Sequence, residues 1–91
     1  MKENLISGDL VKSTTGRDKG NVFLVVAVNE KFAFVADGKV HVIQRLKKKN
    51  KKHLQKVNSA VLTDYAERIQ AGKATSNQKV YKAIKAQQQK I

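Results

Sequence analysis

The feature that most restricts the fold of this chain is a run of seven apolar residues, Val22-Phe-Leu-Val-Val-Ala-Val28. The run is rich in β-branched residues and has no polar residue at alternate positions, so it predicts a strand whose two faces are both covered. It is far too short to cross a bilayer, which needs roughly 20 residues. We therefore expect this strand at the centre of a sheet.

Two shorter β-patterned segments accompany the central run. Asp9–Ser13 can form a strand before it, and the apolar segment Phe32–Ala36 follows after the polar residues Asn29-Glu30-Lys31. Since a short polar loop is enough to reverse the chain between two strands, residues 22–36 are predicted to form a hairpin.

The next segment carries a second turn signal and a dense run of lysines. Asp37-Gly38 tolerates the positive φ angles of a tight hairpin, so Lys39–Val42 is predicted to be the fourth strand. Leu54–Val57 would be the fifth, which leaves the lysine-rich residues 45–53 as a loop that projects from one end of the sheet. Five short strands suit a small β-barrel.

The apolar period changes in the second half of the chain. From Ser59 onward the apolar residues fall on one stripe of an α-helix: Val61, Leu62, Tyr65, Ala66 and Ile69. Asn58 or Ser59 can cap this helix, which is predicted over residues 59–71, and Gly72 can end it in the left-handed conformation.

A second helix, with a shorter apolar stripe, is predicted near the end of the chain. Thr75 or Ser76 can cap it, and its apolar stripe consists of Val80, Tyr81 and Ile84. The expected architecture is therefore mainly β with C-terminal α: a β-barrel over residues 1–57, including the basic loop, and a helical extension over residues 58–91.

Charge is distributed unevenly along the chain. No acidic residue lies between Asp37 and Asp64, and residues 38–63 hold eight of the 19 Lys and Arg side chains, so they carry +8 of the formal net charge of +12. A concentrated positive field attracts a polyanion, and release of the counterions condensed on that polyanion supplies binding free energy. The charge pattern therefore predicts a nucleic-acid-binding protein.

Composition disfavours several other classes of protein. The chain has no Cys, so disulfides and cysteine-ligated metal are excluded, and His41 and His53 with scattered carboxylates do not make a metal site. The acidic residues show no spacing typical of a catalytic pair, so neither an enzyme nor a cofactor is expected. The first residues lack the pattern of a secretory signal, and the basic segment lacks the apolar face that membrane binding needs. We expect a soluble, cytoplasmic monomer.

A loop bounded by glycines lies between the first two predicted strands, and we name residues 14–21 the glycine loop: Thr14-Thr-Gly-Arg-Asp-Lys-Gly-Asn21. Gly16 and Gly20 allow the backbone to take positive φ angles and to lie close to a ligand, while Arg17 and Lys19 point charge outward. Considered alone, this loop also fits an ordinary polar turn.

In its context the glycine loop resembles a known motif. Preceded by Gly8-Asp-Leu-Val-Lys12 and followed by the central run, it resembles the KOW motif of ribosomal proteins and transcription elongation factors, over residues 7 to about 45. With the Asp-Gly turn and the basic residues 47–54, the chain is similar to small bacterial KOW-domain RNA-binding proteins related to large-subunit ribosomal proteins of archaea and eukaryotes. Phe23 stands where the general motif has a further glycine, which favours this ribosomal-protein-like branch. The resemblance implies an SH3-like five-stranded β-barrel that contacts structured RNA through its loops.

We therefore expect a non-catalytic protein that grips the phosphate backbone of structured RNA, and we expect this RNA to be ribosomal RNA on or near the ribosome. Lysines make point-charge contacts that position a protein on phosphates, whereas Arg17 and Arg45 are suited to specific contacts. The predicted RNA-binding residues are Arg17, Lys19, Arg45, Lys47, Lys48, Lys49, Lys51, Lys52, His53 and Lys56, with Gly16 and Gly20 shaping the loop. The alternative is a KOW module that docks on RNA polymerase or on a ribosome surface. Phosphate contacts do not distinguish RNA from DNA, but no recognition helix for the major groove is evident.

Overall fold

The computed structural model describes residues 4–59, 61–73 and 75–88 of the chain. Within these ranges it contains five strands, one short 3-10 turn and two helices. The strands are β1 (Leu10–Ser13), β2 (Val22–Val28), β3 (Phe32–Ala36), β4 (Lys47–Asn50) and β5 (Leu54–Asn58). The 3-10 turn is Lys51–His53, and the helices are α1 (Thr63–Gln70) and α2 (Asn77–Gln88). The expected class, mainly β followed by C-terminal helices, is confirmed.

The strands form one antiparallel sheet in the order β4-β3-β2-β1-β5. β2 lies at the centre, as its apolar run predicts. The predicted hairpin of β2 and β3 is also present, and the Oδ1 atom of Asn29 accepts hydrogen bonds from the N–H groups of Lys31 and Phe32 at 3.0 and 2.8 Å in its turn. Among the described residues β4 and β5 do not pair with each other, so the sheet is open and the closed barrel stays a prediction.

The open sheet is strongly curled. In a flat sheet β4 would lie about 14 Å from β1, because neighbouring strands are about 4.8 Å apart and three spacings separate the two. The ammonium group of Lys49 on β4 nevertheless lies 3.3 Å from the hydroxyl oxygen of Ser13 on β1. β4 therefore faces β1 across the concave side of the sheet.

Apolar side chains are buried on both faces of the sheet. The concave face buries one cluster, made of Leu5, Val11, Phe23, Val25, Ala33 and Val35. The opposite face buries a second cluster beneath the helices, made of Leu10, Leu24, Val26, Ala36, Leu62, Val80 and Ile84. β2 contributes to both clusters, which explains why its sequence shows no polar alternation.

The structure corrects the prediction of a lysine-rich loop over residues 45–53. Lys47–Asn50 forms β4 and pairs with β3 from Val35 to Phe32. Lysine has a low intrinsic preference for strands, so pairing with an apolar neighbouring strand overrides the local preference here. The lysines therefore lie on an ordered edge strand and on the 3-10 turn that follows it.

The prediction that Lys39–Val42 forms the fourth strand is wrong. The Asp37-Gly38 turn is present, but the Oδ1 atom of Asp37 accepts hydrogen bonds from the N–H groups of Lys39 and His41, both at 2.9 Å. A local side-chain bond of this kind competes with strand pairing, since these N–H groups are no longer available to β3. Val40 is 71% exposed, and the chain forms a loop between β3 and β4.

Both predicted helices are present, and both pack on the sheet. α1 begins at Thr63, later than the predicted range 59–71, and no side chain caps its first turn. Gly72 follows it with a φ angle of +71°, as predicted for the end of this helix. α2 begins after Ser76, one of its two predicted caps, whose hydroxyl oxygen accepts a hydrogen bond from the N–H group of Lys79 at 3.1 Å. α2 is the longer of the two helices.

α2 comes very close to the sheet at Gly38. This residue has a φ angle of +78°, and a Cβ atom added there would lie 2.2 Å from the backbone oxygen of Asn77 in the first turn of α2. The side chain of Asn77 holds the loop after β3, because its Oδ1 atom accepts a hydrogen bond from the N–H group of Ile43 at 2.7 Å and its Nδ2 atom donates to Gln44 at 2.8 Å. The helix and this loop form one packed unit.

Gly38→Ala should destabilise the protein more than Gly72→Ala. Both glycines have positive φ angles, so alanine costs about 1 kcal/mol or more at either position. At Gly38 the added methyl group meets backbone atoms, whereas no atom of the described residues lies within 4 Å of it at Gly72. We expect the free energy of unfolding, measured in urea, to be about 1 kcal/mol lower for Gly38→Ala than for Gly72→Ala. Equal losses would contradict the docking of α2 at this turn.

Candidate nucleic-acid interface

The glycine loop is held closed by backbone hydrogen bonds at its base. The N–H group of Gly20 donates to the carbonyl oxygen of Ser13 at 2.8 Å, and the N–H group of Ser13 donates to the carbonyl oxygen of Asn21 at 3.0 Å. Gly16 and Gly20 have φ angles of +83° and +90°, which confirms the predicted positive φ angles at both positions. The loop therefore has a defined backbone shape.

Within this loop Asp18 is turned inward while its neighbours Arg17 and Lys19 are exposed. The Oδ1 atom of Asp18 accepts hydrogen bonds from the ammonium group of Lys49 and from the hydroxyl group of Ser13, both at 2.9 Å. The side chains of Lys49 and Asp18 are only 12% and 16% exposed. An ion pair that is largely shielded from water therefore ties the glycine loop to β4.

The surroundings of Asp18 act on its pKa in opposite directions. Burial disfavours the charged carboxylate, but hydrogen bonds from Lys49 and Ser13 and the positive charge of Lys49 favour it. The net result is a pKa of Asp18 below its ordinary value. Asp18 is therefore ionised at neutral pH and compensates the charge of Lys49.

The glycine loop also contacts the 3-10 turn. The N–H group and the hydroxyl group of Thr14 donate to the carbonyl oxygen of His53 at 2.9 and 3.0 Å. At the start of the turn, the N–H group of Lys51 donates to the carbonyl oxygen of Lys31 at 3.0 Å. Hydrogen bonds and an ion pair thus join the glycine loop, β4 and the 3-10 turn. We name these three segments the basic surface: residues 14–21 and 47–53.

The predicted RNA-binding residues divide into two groups. Lys49 pairs with Asp18, and the ammonium group of Lys56 lies 3.5 Å from the Oδ2 atom of Asp9, a buried residue. The others form no ion pair with any described residue, and all of them except the half-buried Lys51 are exposed: Arg17, Lys19, Arg45, Lys47, Lys48, Lys51, Lys52 and His53. Positive charge on this second group therefore has no acidic partner in the described chain.

Neighbouring lysines of β4 point to opposite faces, because side chains alternate along a strand. Lys49 lies on the concave face, whereas Lys48 lies on the other face with its ammonium group 4.6 Å from the centroid of the Phe32 ring, within cation–π range. Phe32 and Phe34 are half-buried and belong to neither core cluster. Of the three phenylalanines, Phe23 alone is fully buried and belongs to a core cluster.

Arg45 is exposed and lies in the loop before β4, outside the basic surface. Its N–H group donates to the carbonyl oxygen of Val42 at 3.0 Å, which makes a turn within that loop. His41 in the same loop is half-buried, with its ring centroid 5.6 Å from that of Phe23. This ring contact gives His41 a structural role in the packing of the loop.

Asp18 is a supporting residue that the sequence analysis did not single out. A usable signal was present, because Asp18 stands between Arg17 and Lys19 in a loop expected to bind an anion. An exposed carboxylate there would repel phosphate, so an internal cation was to be expected as its partner. The identity of that cation, Lys49, depends on the curl of the sheet and is not visible in the sequence.

In the part of the chain that the structure describes, no group of three or more His, Cys, Asp or Glu side chains is arranged to hold a metal ion. None of the helices found there combines the length and the apolar character needed to span a membrane.

Comparisons with known proteins do not assign a family to the chain. No protein-family model matches it, and a search of curated proteins finds no match. Function must therefore be inferred from the geometry and charge of the chain itself.

Asp18→Asn should destabilise the protein in a pH-dependent way. At neutral pH the variant loses the ion pair with Lys49, and we expect the free energy of unfolding to fall by about 1 kcal/mol. Because the pKa of Asp18 is lowered in the folded protein, its contribution is present above the unfolded-state pKa and is lost as the pH falls through the folded-state pKa. Urea denaturation from neutral to strongly acidic pH should show the difference between variant and wild type shrinking toward zero.

Glu30→Gln is the matched control for this experiment. Glu30 is exposed in the turn between β2 and β3 and forms no ion pair with any described residue. Its neutralisation should leave the free energy of unfolding nearly unchanged at every pH. A loss in Asp18→Asn that stayed constant with pH would count against the ion pair.

Proposed function

We propose that this chain is a non-catalytic RNA-binding protein that grips the phosphate backbone of structured RNA, namely ribosomal RNA on or near the ribosome in the cytoplasm. The observation that carries the proposal is the basic surface, where cations that pair with no acidic residue of the described chain lie on three mutually bonded segments. Charges held on ordered segments lose less conformational entropy on binding than charges on a flexible loop. Such an arrangement suits a polyanion whose phosphates are also held in place.

The side chains of the basic surface suit backbone contacts better than base reading. Its lysines are compact point charges, whereas the planar guanidinium group of Arg17 can pair with two oxygens of a phosphate or with a guanine edge. With about four to six phosphates engaged, log K should fall against log salt with a slope of roughly −3 to −5. Most of the affinity then comes from counterion release. Discrimination between different RNAs depends on Arg17 and on the shape of the RNA.

Lys49 and Lys56 have a different role in this proposal. Each has a carboxylate partner inside the protein, Asp18 and Asp9 respectively. Contact with phosphate would require the lysine to leave that partner and expose a shielded carboxylate to a polyanion, which is unfavourable. We assign both lysines to the support of the interface.

The proposed function also fits the fold class suggested by the glycine loop. A curled five-stranded sheet with a 3-10 turn between its last two strands is compatible with an SH3-like barrel of the KOW type whose edge strands do not pair. In such a barrel the glycine loop and the 3-10 turn would be the segments presented to RNA. The SH3-like identity is part of the proposal.

A second candidate function is docking on RNA polymerase or on a ribosome surface. The open edges of the sheet favour it, because an extended segment of another protein can pair with an unpaired strand edge. The lysines of β4 restrict such a partner to an acidic segment. Binding that survives nuclease treatment and does not respond to salt would identify this function in place of RNA binding.

Neutralising the free lysines of the basic surface should remove most of the affinity for RNA. The variant carries Lys47→Gln, Lys48→Gln, Lys51→Gln and Lys52→Gln and leaves Lys49 in its ion pair. Binding to a fluorescently labelled RNA hairpin with an internal loop is measured by anisotropy over a series of salt concentrations. The slope of log K against log salt should become shallower by about 3.

A variant with the same net charge serves as the control. It neutralises four exposed cations on and between the helices: Arg68, Lys73, Lys79 and Lys82. Since none of them belongs to the basic surface, the slope should change by less than about 1. Circular dichroism confirms that both variants fold. Similar losses of RNA binding in the two variants would show an effect of net charge alone and would refute the proposed site.

A further inference from the structure

A cleft of about 300 Å³ lies beside the basic surface, between the end of the glycine loop, the loop after β3, and α2. Its lining includes Gly20, Asn21, Val22, Lys39, Tyr81 and Lys85. Neither of its cations is among the RNA-binding residues predicted from the sequence. The cleft exists only because α2 is docked on the sheet.

Two lysines from separate elements converge on one tyrosine ring at this cleft. The ammonium group of Lys39 lies 5.7 Å from the centroid of the Tyr81 ring, and that of Lys85 lies 5.5 Å from it. Both lysines are exposed, and neither forms an ion pair with a described residue. The ring attracts each cation but carries no net charge, so it leaves their mutual repulsion uncompensated. An anion bound beside the ring would be attracted by both.

The other groups of the cleft are compatible with an anionic ligand. The carboxylate of Asp37 lines the cleft, and its Oδ1 atom accepts hydrogen bonds from the N–H groups of Lys39 and His41, which position the backbone that carries Lys39. Ile84 is buried and Val22 is half-buried, so part of the lining is apolar. An apolar floor with cations at the rim suits a sugar that carries a phosphate.

We propose that this cleft binds a phosphodiester group of the same RNA that contacts the basic surface, with Lys39 and Lys85 as its cationic contacts. This inference rests on the proposed RNA-binding function. Gly20 belongs both to the cleft and to the glycine loop, and Lys19 precedes it directly, so one RNA strand can pass from the loop into the cleft. α2 is then a part of the RNA interface, and its close approach at Gly38 serves binding as well as stability.

The test compares two double variants with the same charge. Lys39→Gln with Lys85→Gln neutralises the cleft, and Lys79→Gln with Lys82→Gln neutralises two exposed lysines of α2 that do not line it. With the labelled RNA hairpin, the cleft variant should show a slope of log K against log salt that is shallower by about 1, and the control should keep the wild-type slope. In wild type, the amide signals of Gly20 and Asn21 should shift when the RNA is added.

The outcomes separate this inference from the function on which it rests. If wild type binds the RNA and the two double variants have equal slopes, the cleft makes no phosphate contact and the inference fails, while RNA binding by the basic surface stands. If wild type does not bind the RNA, both fail together. The same amide signals are also followed in a titration with adenosine monophosphate. If the shifts of Gly20 and Asn21 saturate at micromolar concentrations of this nucleotide, the cleft binds a free nucleotide, and the assignment to RNA is overturned.

Discussion

The ion pair between Lys49 and Asp18 is the interaction on which the proposed interface depends. It joins β4 to the glycine loop across the concave side of the curled sheet, where both side chains are largely shielded from water. Attraction between shielded charges is stronger than between exposed ones, and the hydroxyl group of Ser13 bonds to both partners. Because Asp18 is held inward, the cations on either side of it in the chain face solvent. The same pair thus sets the shape of the loop and decides which charges remain for a ligand.

The fold separates lysines that look alike in the sequence. Lys49 points to the concave face and is neutralised, while Lys48 points away from it and lies over the ring of Phe32. Charged side chains on an edge strand also discourage pairing with another strand. The lysines of β4 therefore protect the open edge of the sheet and at the same time present charge to RNA. Lys56 resembles Lys49 in having a carboxylate partner within the protein, because its ammonium group pairs with the buried Asp9.

The parts of the structure that the sequence predicts are those with strong local signals. The apolar run of β2, the hairpin with β3 and the stripe of α1 can each be predicted from the local sequence. Strands and helices have different apolar periods, so the pattern of each segment indicates both its type and its buried residues. β4 was missed because lysine disfavours strands and because identical neighbours hide the period of two. Residues Lys39–Val42 form a loop and not the predicted strand, because the N–H groups of Lys39 and His41 donate to the side chain of Asp37 and not to a neighbouring strand. At the site, the sequence identifies the cations but not their partners, since the pairing of Lys49 with Asp18 and the meeting of Lys39 and Lys85 at Tyr81 are produced by packing.

The most direct test of this account compares Lys48→Gln with Lys49→Gln, two neighbouring substitutions that remove the same charge from opposite faces of β4. The free energy of unfolding in urea and the salt dependence of binding to the RNA hairpin are measured for each. Lys48→Gln should make the slope of log K against log salt shallower by about 1 and leave stability nearly unchanged. Lys49→Gln should lower the free energy of unfolding by about 1 kcal/mol and keep the wild-type slope while the protein is folded. The same losses of binding and stability in both variants would contradict the division between a lysine that binds RNA and a lysine that supports the loop.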